Sequence, residues 1–493
     1  MAGKSFLARA LNRSFYYGFS SIMGRIVGFL MLPIYTNYLS PADYGIAGFL
    51  VFYVSLAQIL LGGKLEQAIS KFYYDKNILH PLSTILTTAT VFTLVISSVP
   101  LIIGLLLSTE ISTLLFDSPS YQLAVCVVSL NIVFGTTELY GLQYIKIVDK
   151  PKTYLALNLL KLSLQLTINI VLIVFLDQGI IGVVVSSAAA SIVLTMVSAI
   201  LVYINEPTIT FERTLIRPLF TYSAPLWVAG LIGLYSGSIH QVFIKMYASF
   251  SELGLYNLAA TFGGLVGTLA WTPFFNFWSV ERFRIYEEIN SRKTYKAVFY
   301  WSAGISLFLC FGISVFSDPV IRIMANEAFH PASAAVAPLT IFTTVMYLIW
   351  HLNFSFLVTN NNKELARNGF VYALLISGAY LLLIPKWGYT GAAYGLMIGN
   401  IINLHIIEYR ARIYYDIGVS IIKIDMMIIL TLILIWIFSK INAFFISPFI
   451  AALSSLIAIV LLLLVITVIL YRLHPETYRP LLSKFNPKLK GCK

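Results

Sequence analysis

From Leu82 to Leu107 the chain runs for 26 residues without one charged side chain. As a helix that run covers about 39 Å, more than the roughly 30 Å hydrocarbon core of a bilayer. Comparable runs recur along the sequence, bounded by charges, proline or glycine. They predict fourteen spans, near 15–37, 45–61, 82–107, 121–143, 154–176, 180–203, 219–243, 253–278, 297–316, 335–357, 368–384, 391–409, 421–438 and 447–471. Transmembrane strands would alternate in polarity over about ten residues. The expected class is therefore an all-α polytopic membrane protein with about 14 transmembrane helices. At 59% hydrophobic and 11% charged, the 493 residues could not supply a soluble fold of this size with its polar surface.

Lysine and arginine set the orientation. With the N-terminus inside, 27 of the 33 basic residues fall on the cytoplasmic side. Four fall outside (Lys245, Arg322, Lys386, Lys440), and Arg25 and Lys161 lie within spans. This asymmetry predicts that both termini are cytoplasmic. The basic residues are scattered over eight separate segments, which argues against nucleic acid as a partner. The first apolar run follows Lys4, Arg9 and Arg13 but contains Arg25 and lacks a small-residue cleavage site, so it reads as a retained helix. Cys126, Cys310 and Cys492 offer neither a disulfide framework nor metal-ligand spacing, and no phosphate-cradling loop or cofactor motif is present.

The chain also repeats itself. Tyr38-Leu-Ser-Pro-Ala-Asp-Tyr-Gly45-Ile46 returns loosely as Tyr247-Ala-Ser-Phe-Ser-Glu-Leu-Gly254-Leu255, and Gly179-Ile-Ile-Gly182 returns as Gly388-Tyr-Thr-Gly391. Both matches share an offset of 209 residues. Six spans per half make the repeats parallel, related by an axis along the membrane normal. The expected organisation is an N-lobe at 1–204 (spans 1–6), a C-lobe at 205–415 (spans 7–12), appended spans 13–14 at 416–471, and a basic cytoplasmic tail at 472–493. The stretch Phe211–Leu219 is expected to be an interfacial helix linking the lobes.

At Ile34-Tyr-Thr-Asn-Tyr-Leu-Ser-Pro-Ala-Asp-Tyr-Gly45 the chain resembles the polysaccharide transporter family. These are the Wzx-like oligosaccharide flippases of the multidrug/oligosaccharidyl-lipid/polysaccharide exporter superfamily. Ala68-Ile-Ser-Lys-Phe-Tyr-Tyr-Asp75, Glu252-Leu-Gly-Leu-Tyr-Asn-Leu-Ala259 and Ile384-Pro-Lys-Trp-Gly-Tyr-Thr-Gly-Ala-Ala393 extend the resemblance over roughly the first 410 residues. It implies a MATE-like pair of six-helix lobes around a central cavity. The implied activity is translocation of an undecaprenyl-pyrophosphate-linked oligosaccharide, an O-antigen, lipopolysaccharide or exopolysaccharide repeat unit, across the bacterial inner membrane. The resemblance also allows for a coupling H+ or Na+ ion and for polysaccharide polymerase machinery as partners. The chain departs from the family in carrying His240-Gln241 late in span 7, where members often have Asp-Arg, and Asn37 after the span 1 proline, where they often have Arg.

Ionisable residues inside spans are costly and therefore informative. Arg25 lies about 15 Å into span 1, near the midplane, where a cation costs at least about 2.5–3.5 kcal/mol. One reading gives its guanidinium a substrate phosphate to bind bidentately; the other gives it an interhelical ion pair with Glu138. Lys161 and Glu138 lie at similar depth on consecutive antiparallel spans, so they are candidates for substrate binding or proton coupling and equally for a structural salt bridge. His351 and His240 are candidates because imidazole titrates near neutral pH, although a hydrogen-bonded bundle histidine is the plainer account. Asn131, Asn169 and Asn353 suit either a sugar-accepting cavity or interhelical glue. Pro33 and Pro225 read as kinks in comparable spans of the two lobes.

These features describe a transporter and not an enzyme. An integral-membrane polymerase or glycosyltransferase needs an extramembrane domain or an acidic cluster, and the longest expected outside loop, Ser317–Ala334, has only 18 residues. A drug/cation antiporter of the same superfamily calls for buried carboxylates, and here two intramembrane cations face one, Glu138. A peptidoglycan-precursor flippase shares the anionic bias and differs only through the family motifs.

Overall fold

Ser40 and Ser249 begin their helices in the same way. The Ser40 hydroxyl accepts from the Asp43 N–H at 3.1 Å, and the Asp43 carboxylate accepts from the Ser40 N–H at 3.3 Å, closing a capping box. The Ser249 hydroxyl accepts from the Glu252 N–H at 3.2 Å. Pro41 at the first helical position adds a preset φ to the first of these starts.

The computed structural model describes residues 16–473 apart from 17, 21, 76–79, 207–208, 287, 289 and 446. Ten long apolar helices come first: α1 (Gly18–Tyr38), α2 (Pro41–Tyr74), α3 (Leu82–Leu106), α4 (Pro119–Ile147), α5 (Pro151–Phe175), α6 (Gly179–Asn205), α7 (Arg213–Ser238), α8 (Phe250–Phe275), α9 (Ser291–Met324) and α10 (Glu327–Val358). Lys363–Tyr414 is also long and apolar, but Gly388 at φ +54 and ψ −134 breaks it into two legs, α11 (363–387) and α12 (389–414). Those legs run antiparallel, because a Cβ on Gly395 would sit 3.2 Å from Tyr380 and one on Gly399 3.2 Å from Ile376. Then come α13 (Ile421–Ala443) and α14 (Pro448–Leu473). The number of helices is thus close to the expected fourteen, and the described residues form no strand.

The hairpin at Gly388 has a counterpart 209 residues earlier. Gly179, between α5 and α6, has φ +52. Three residues on, Gly182 packs so tightly that a Cβ would come within 2.9 Å of Ile173, and one on Gly391 would collide with the Leu383 carbonyl. At both turns a glycine supplies the positive φ, Gly179 and Gly388, and a second one three residues on, Gly182 and Gly391, allows the close return of the chain.

Three apolar cores fill the molecule. One joins the two halves, with Ile46, Phe49 and Leu50 of α2 against Leu255, Tyr256 and Phe262 of α8. A second belongs to the first half and the start of α7, around Ile69, Ile85, Tyr140 and Leu219. The third binds α9, α10 and α12 to α13 and α14 through Phe311, Leu348, Leu404, Ile428 and Ala458. Side chains such as Leu106, Leu382 and Ile422, each 70–75% exposed, form the outward apolar surface that a bilayer covers.

Several boundaries differ from expectation. The second span begins at Pro41, not 45, because Ser40 caps it; Gly63 and Lys64 then turn through φ +53 and +57 before the helix resumes at Leu65. The expected outer loop 317–334 is mostly helical. Asp318 and Arg322 pair at 2.9 Å within α9, and Glu327–Ala335 is a 3-10 helix whose Phe329 is fully buried. No separate interfacial helix forms at 211–219; a 3-10 turn, Arg213–Leu215, leads directly into Ile216–Ser238.

Candidate functional site

Arg25 crosses from one half of the molecule to the other. Its Nη1 donates to the Gly264 carbonyl at 3.1 Å and to Thr268 Oγ1 at 2.9 Å, both on α8. One turn further along α1, Phe29 meets Phe262 of α8 edge-on at 5.5 Å. Gly264 and Thr268 stand just before and inside the junction where α8 becomes a π-helical turn, Gly267–Trp271. The wider turn is seated by Gly267, whose missing Cβ leaves room for the Tyr347 hydroxyl.

Arg25 is exposed, and no carboxylate among the described residues lies within 4 Å of it. A guanidinium carries five N–H donors, and only Nη1 is engaged here. The remaining donors and the full charge are available to an anion entering between α1 and α8. That is the chemistry of phosphate capture.

Glu138 is not its partner. Lys161 Nζ lies 2.7 Å from both Glu138 oxygens, joining α4 to α5, with the carboxylate side chain only 7% exposed. This charge-neutral pair inside one half gives both groups a partner, as a structural salt bridge does.

The two histidines are apart from this pair. His240 starts the short helix His240–Tyr247 after α7, is buried, and has its ring 4.4 Å from that of Tyr256, with no partner for Nδ1. His351 of α10 is buried among Trp271, Phe274, Trp278 and Phe299, ring to ring at 5.4–6.1 Å, with no partner for Nε2. Among the described residues no group of His, Cys, Asp or Glu is arranged to hold a metal ion.

Asn169 serves as the interhelical glue that the sequence allows, while the partners of several other polar residues are not readable from it. Gln241 donates to Asn257 at 3.0 Å, and Asn257 packs on Gly48, which stands 209 positions before it. Asn169 donates to the Tyr35 hydroxyl at 2.7 Å and accepts from Ser186 at 2.9 Å, linking α1, α5 and α6. Arg282, a loop cation by charge counting, is buried over the rings of Phe275, Phe283 and Phe354 at 5.2–5.4 Å. Burial pulls its guanidinium below the ordinary arginine range, and Tyr295 acts in the opposite direction. Arg410, also a loop cation on that count, is buried and bonds Asn368 and Glu364.

The halves also meet at the far end of α2. Phe72 packs against Tyr222 at 6.4 Å, Lys71 lies over the same ring at 5.5 Å, and Lys64 packs against Gly230.

Known proteins share this fold. Residues 10–273 match the family model described as polysaccharide biosynthesis protein. No curated protein matches the chain in sequence. Among solved structures, the lipid II flippase MurJ in an inward closed conformation is similar with a TM-score of 0.72 at 15% identity, over 92% of this chain and 98% of that one. An inward-facing multidrug resistance MATE family transporter of the MOP superfamily is similar with a TM-score of 0.66 at 14% identity, over 82% and 95%. A MOP superfamily transporter from Pyrococcus furiosus gives 0.52 at 13% identity, over 81% and 95%. At these identities the likeness is one of fold.

Proposed function

The chain belongs to the polysaccharide biosynthesis protein family, and from that premise we propose that it flips an undecaprenyl-pyrophosphate-linked oligosaccharide across the bacterial inner membrane. The observation that carries the reading is the Arg25 guanidinium, which reaches from α1 to α8 and has no carboxylate within 4 Å among the described residues. A pyrophosphate would take up its free donors, while the polyprenyl chain stays in lipid and its apolar surface never crosses a polar barrier.

In this reading 1–204 and 205–415 act as two lobes that rock about the bound headgroup, with α13 and α14 appended and both termini cytoplasmic. Support comes from the 209-residue offset, which pairs Gly45 with Gly254 in reciprocal contact and Gly179 with Gly388 at the same positive φ. Drug/cation antiport is the weaker reading, because Lys161 already neutralises the intramembrane carboxylate Glu138.

Proteoliposomes test the proposal. Purified protein should move a labelled polyprenyl-pyrophosphate oligosaccharide to the face where an added glycosidase can reach it. Failure to move it, alongside movement of the peptidoglycan precursor or of a cationic drug, would assign the chain to one of those substrates instead.

A further inference from the structure

Beside the π-helical turn of α8 lies a groove of about 750 Å³ that the transport reading does not use. One wall is Ala270, Trp271 and Phe274. The other is a stripe of α9 running from Asn290 to Ser306. At 1.5 Å per residue that stripe is about 24 Å long, enough to pass from the interface through one leaflet's hydrocarbon, about 15 Å. Its deep part is apolar, with Val298, Trp301 and Ile305, and its mouth carries Asn290, Lys293 and Thr294.

The mouth is cationic. Lys293 is exposed and makes no ion pair among the described residues. Between Glu281 and Lys296 the sequence holds five basic residues against three acidic ones, and with Arg284 and Glu281 paired to each other four remain against two. The N-terminus of α9, at Ser291, adds its own positive end. Further in, Trp271 is only 4% exposed, and its indole N–H has no acceptor among the described residues.

We propose that this groove holds an anionic phospholipid of the adjoining leaflet, its phosphodiester at Lys293, Thr294 and Asn290 and one acyl chain along α9. The site is separate from Arg25 and does not depend on what the protein transports. Its place against the π turn means that the lipid props the part of α8 that Arg25 touches.

Tryptophan quenching tests it. The protein would be placed in phosphatidylcholine nanodiscs doped with brominated phosphatidylglycerol or brominated phosphatidylcholine, with Trp301→Phe and Trp271→Phe variants used to assign the signal. Brominated phosphatidylglycerol should quench these two tryptophans at about fivefold lower mole fraction, the preference that one interfacial basic residue confers. Lys293→Gln, an exposed change that leaves the fold alone, should abolish that preference, and Ala297→Phe should reduce quenching by filling the groove. Native mass spectrometry should show one retained phosphatidylglycerol lost in the same variants. Equal quenching by both lipids, or a preference unchanged in Lys293→Gln, would overturn the proposal. So would relief of quenching by a polyprenyl phosphate where phosphatidylglycerol shows no preference, since the carrier chain would then be the occupant.

Discussion

Gly45 of α2 and Gly254 of α8 lie face to face, each needing the other to lack a side chain. A Cβ on Gly45 would collide with the Phe250 carbonyl and come within 2.9 Å of the Gly254 nitrogen. One on Gly254 would collide with the Pro41 carbonyl and come within 3.1 Å of the Gly45 nitrogen. Pro41 and Phe250 are themselves 209 residues apart, so the contact is reciprocal, as in an isologous interface.

Alanine at either glycine should therefore push the two helices apart. Overpacking costs about 1–3 kcal/mol, which would enrich conformers parted at this end by about 5- to 150-fold. Spin labels at Tyr38 and Tyr247, both exposed and also 209 apart, should report a longer distance in Gly45→Ala and Gly254→Ala. An unchanged distance would mean that this contact does not govern separation of the halves.

Arg25 should behave as a ligand-binding cation. Arg25→Ala is expected to abolish glycan export at normal abundance, and Arg25→Lys to keep partial activity, since it retains charge but loses the fork. Arg25→Glu should be no better than alanine. Full export by a normally expressed Arg25→Ala protein rules out the phosphate role.

Lys161 and Glu138 should behave as a structural pair. Lys161→Met strands a buried carboxylate and should cost about 3 kcal/mol of stability, read as a lowered Tm in detergent. Adding Glu138→Met should restore most of it and leave transport intact. A stable double variant that no longer transports would move the pair into the coupling mechanism.

The two hairpin glycines should respond unequally. At Gly388 an added Cβ would strike the Glu252 carboxylate, whereas at Gly179 nothing lies within 4 Å. Gly179→Ala should cost only the positive φ, about 1 kcal/mol, and Gly388→Ala measurably more. Thermal shifts of the two variants decide this.

Cysteines at Ser120, Gln178 and Phe444, in a background lacking Cys126, Cys310 and Cys492, should label from outside, and those at Lys363 and Asp416 from inside. The 27 basic residues on one side motivate the assignment. Inside labelling at Ser120 and Gln178 would invert the topology.

The helices are legible in the sequence because an uncharged run of spanning length has one way to satisfy its backbone in lipid. The glycine matches are legible because close approach tolerates no substitute. The π turn at Gly267–Trp271 is not, since an apolar window reads alike whether each N–H bonds four or five residues back. The stretch after Ser317 reads as a loop from Asp318, Pro319, Arg322 and Pro331, yet Asp318 and Arg322 pair one helical turn apart. Charge counting puts Arg282 and Arg410 in loops, because it cannot see that helices run past the membrane and bury them. That Arg25 reaches α8 is a matter of packing between helices, which no local pattern encodes, whereas the equal depth of Glu138 and Lys161 on consecutive antiparallel spans already offers their salt bridge.

Glu252 does more than begin α8. Its carboxylate accepts the Tyr389 N–H at 2.8 Å, so the turn between α11 and α12 is fastened to the head of that helix. Lower down, the same helix takes the hydrogen bonds of Arg25. In mechanical terms α8 is a beam loaded at its middle and clamped at its head. An anion that draws Arg25 away from Gly264 and Thr268 would unload the beam. The displacement would then reach the Gly254 seam and the α11–α12 hairpin together, in one stroke.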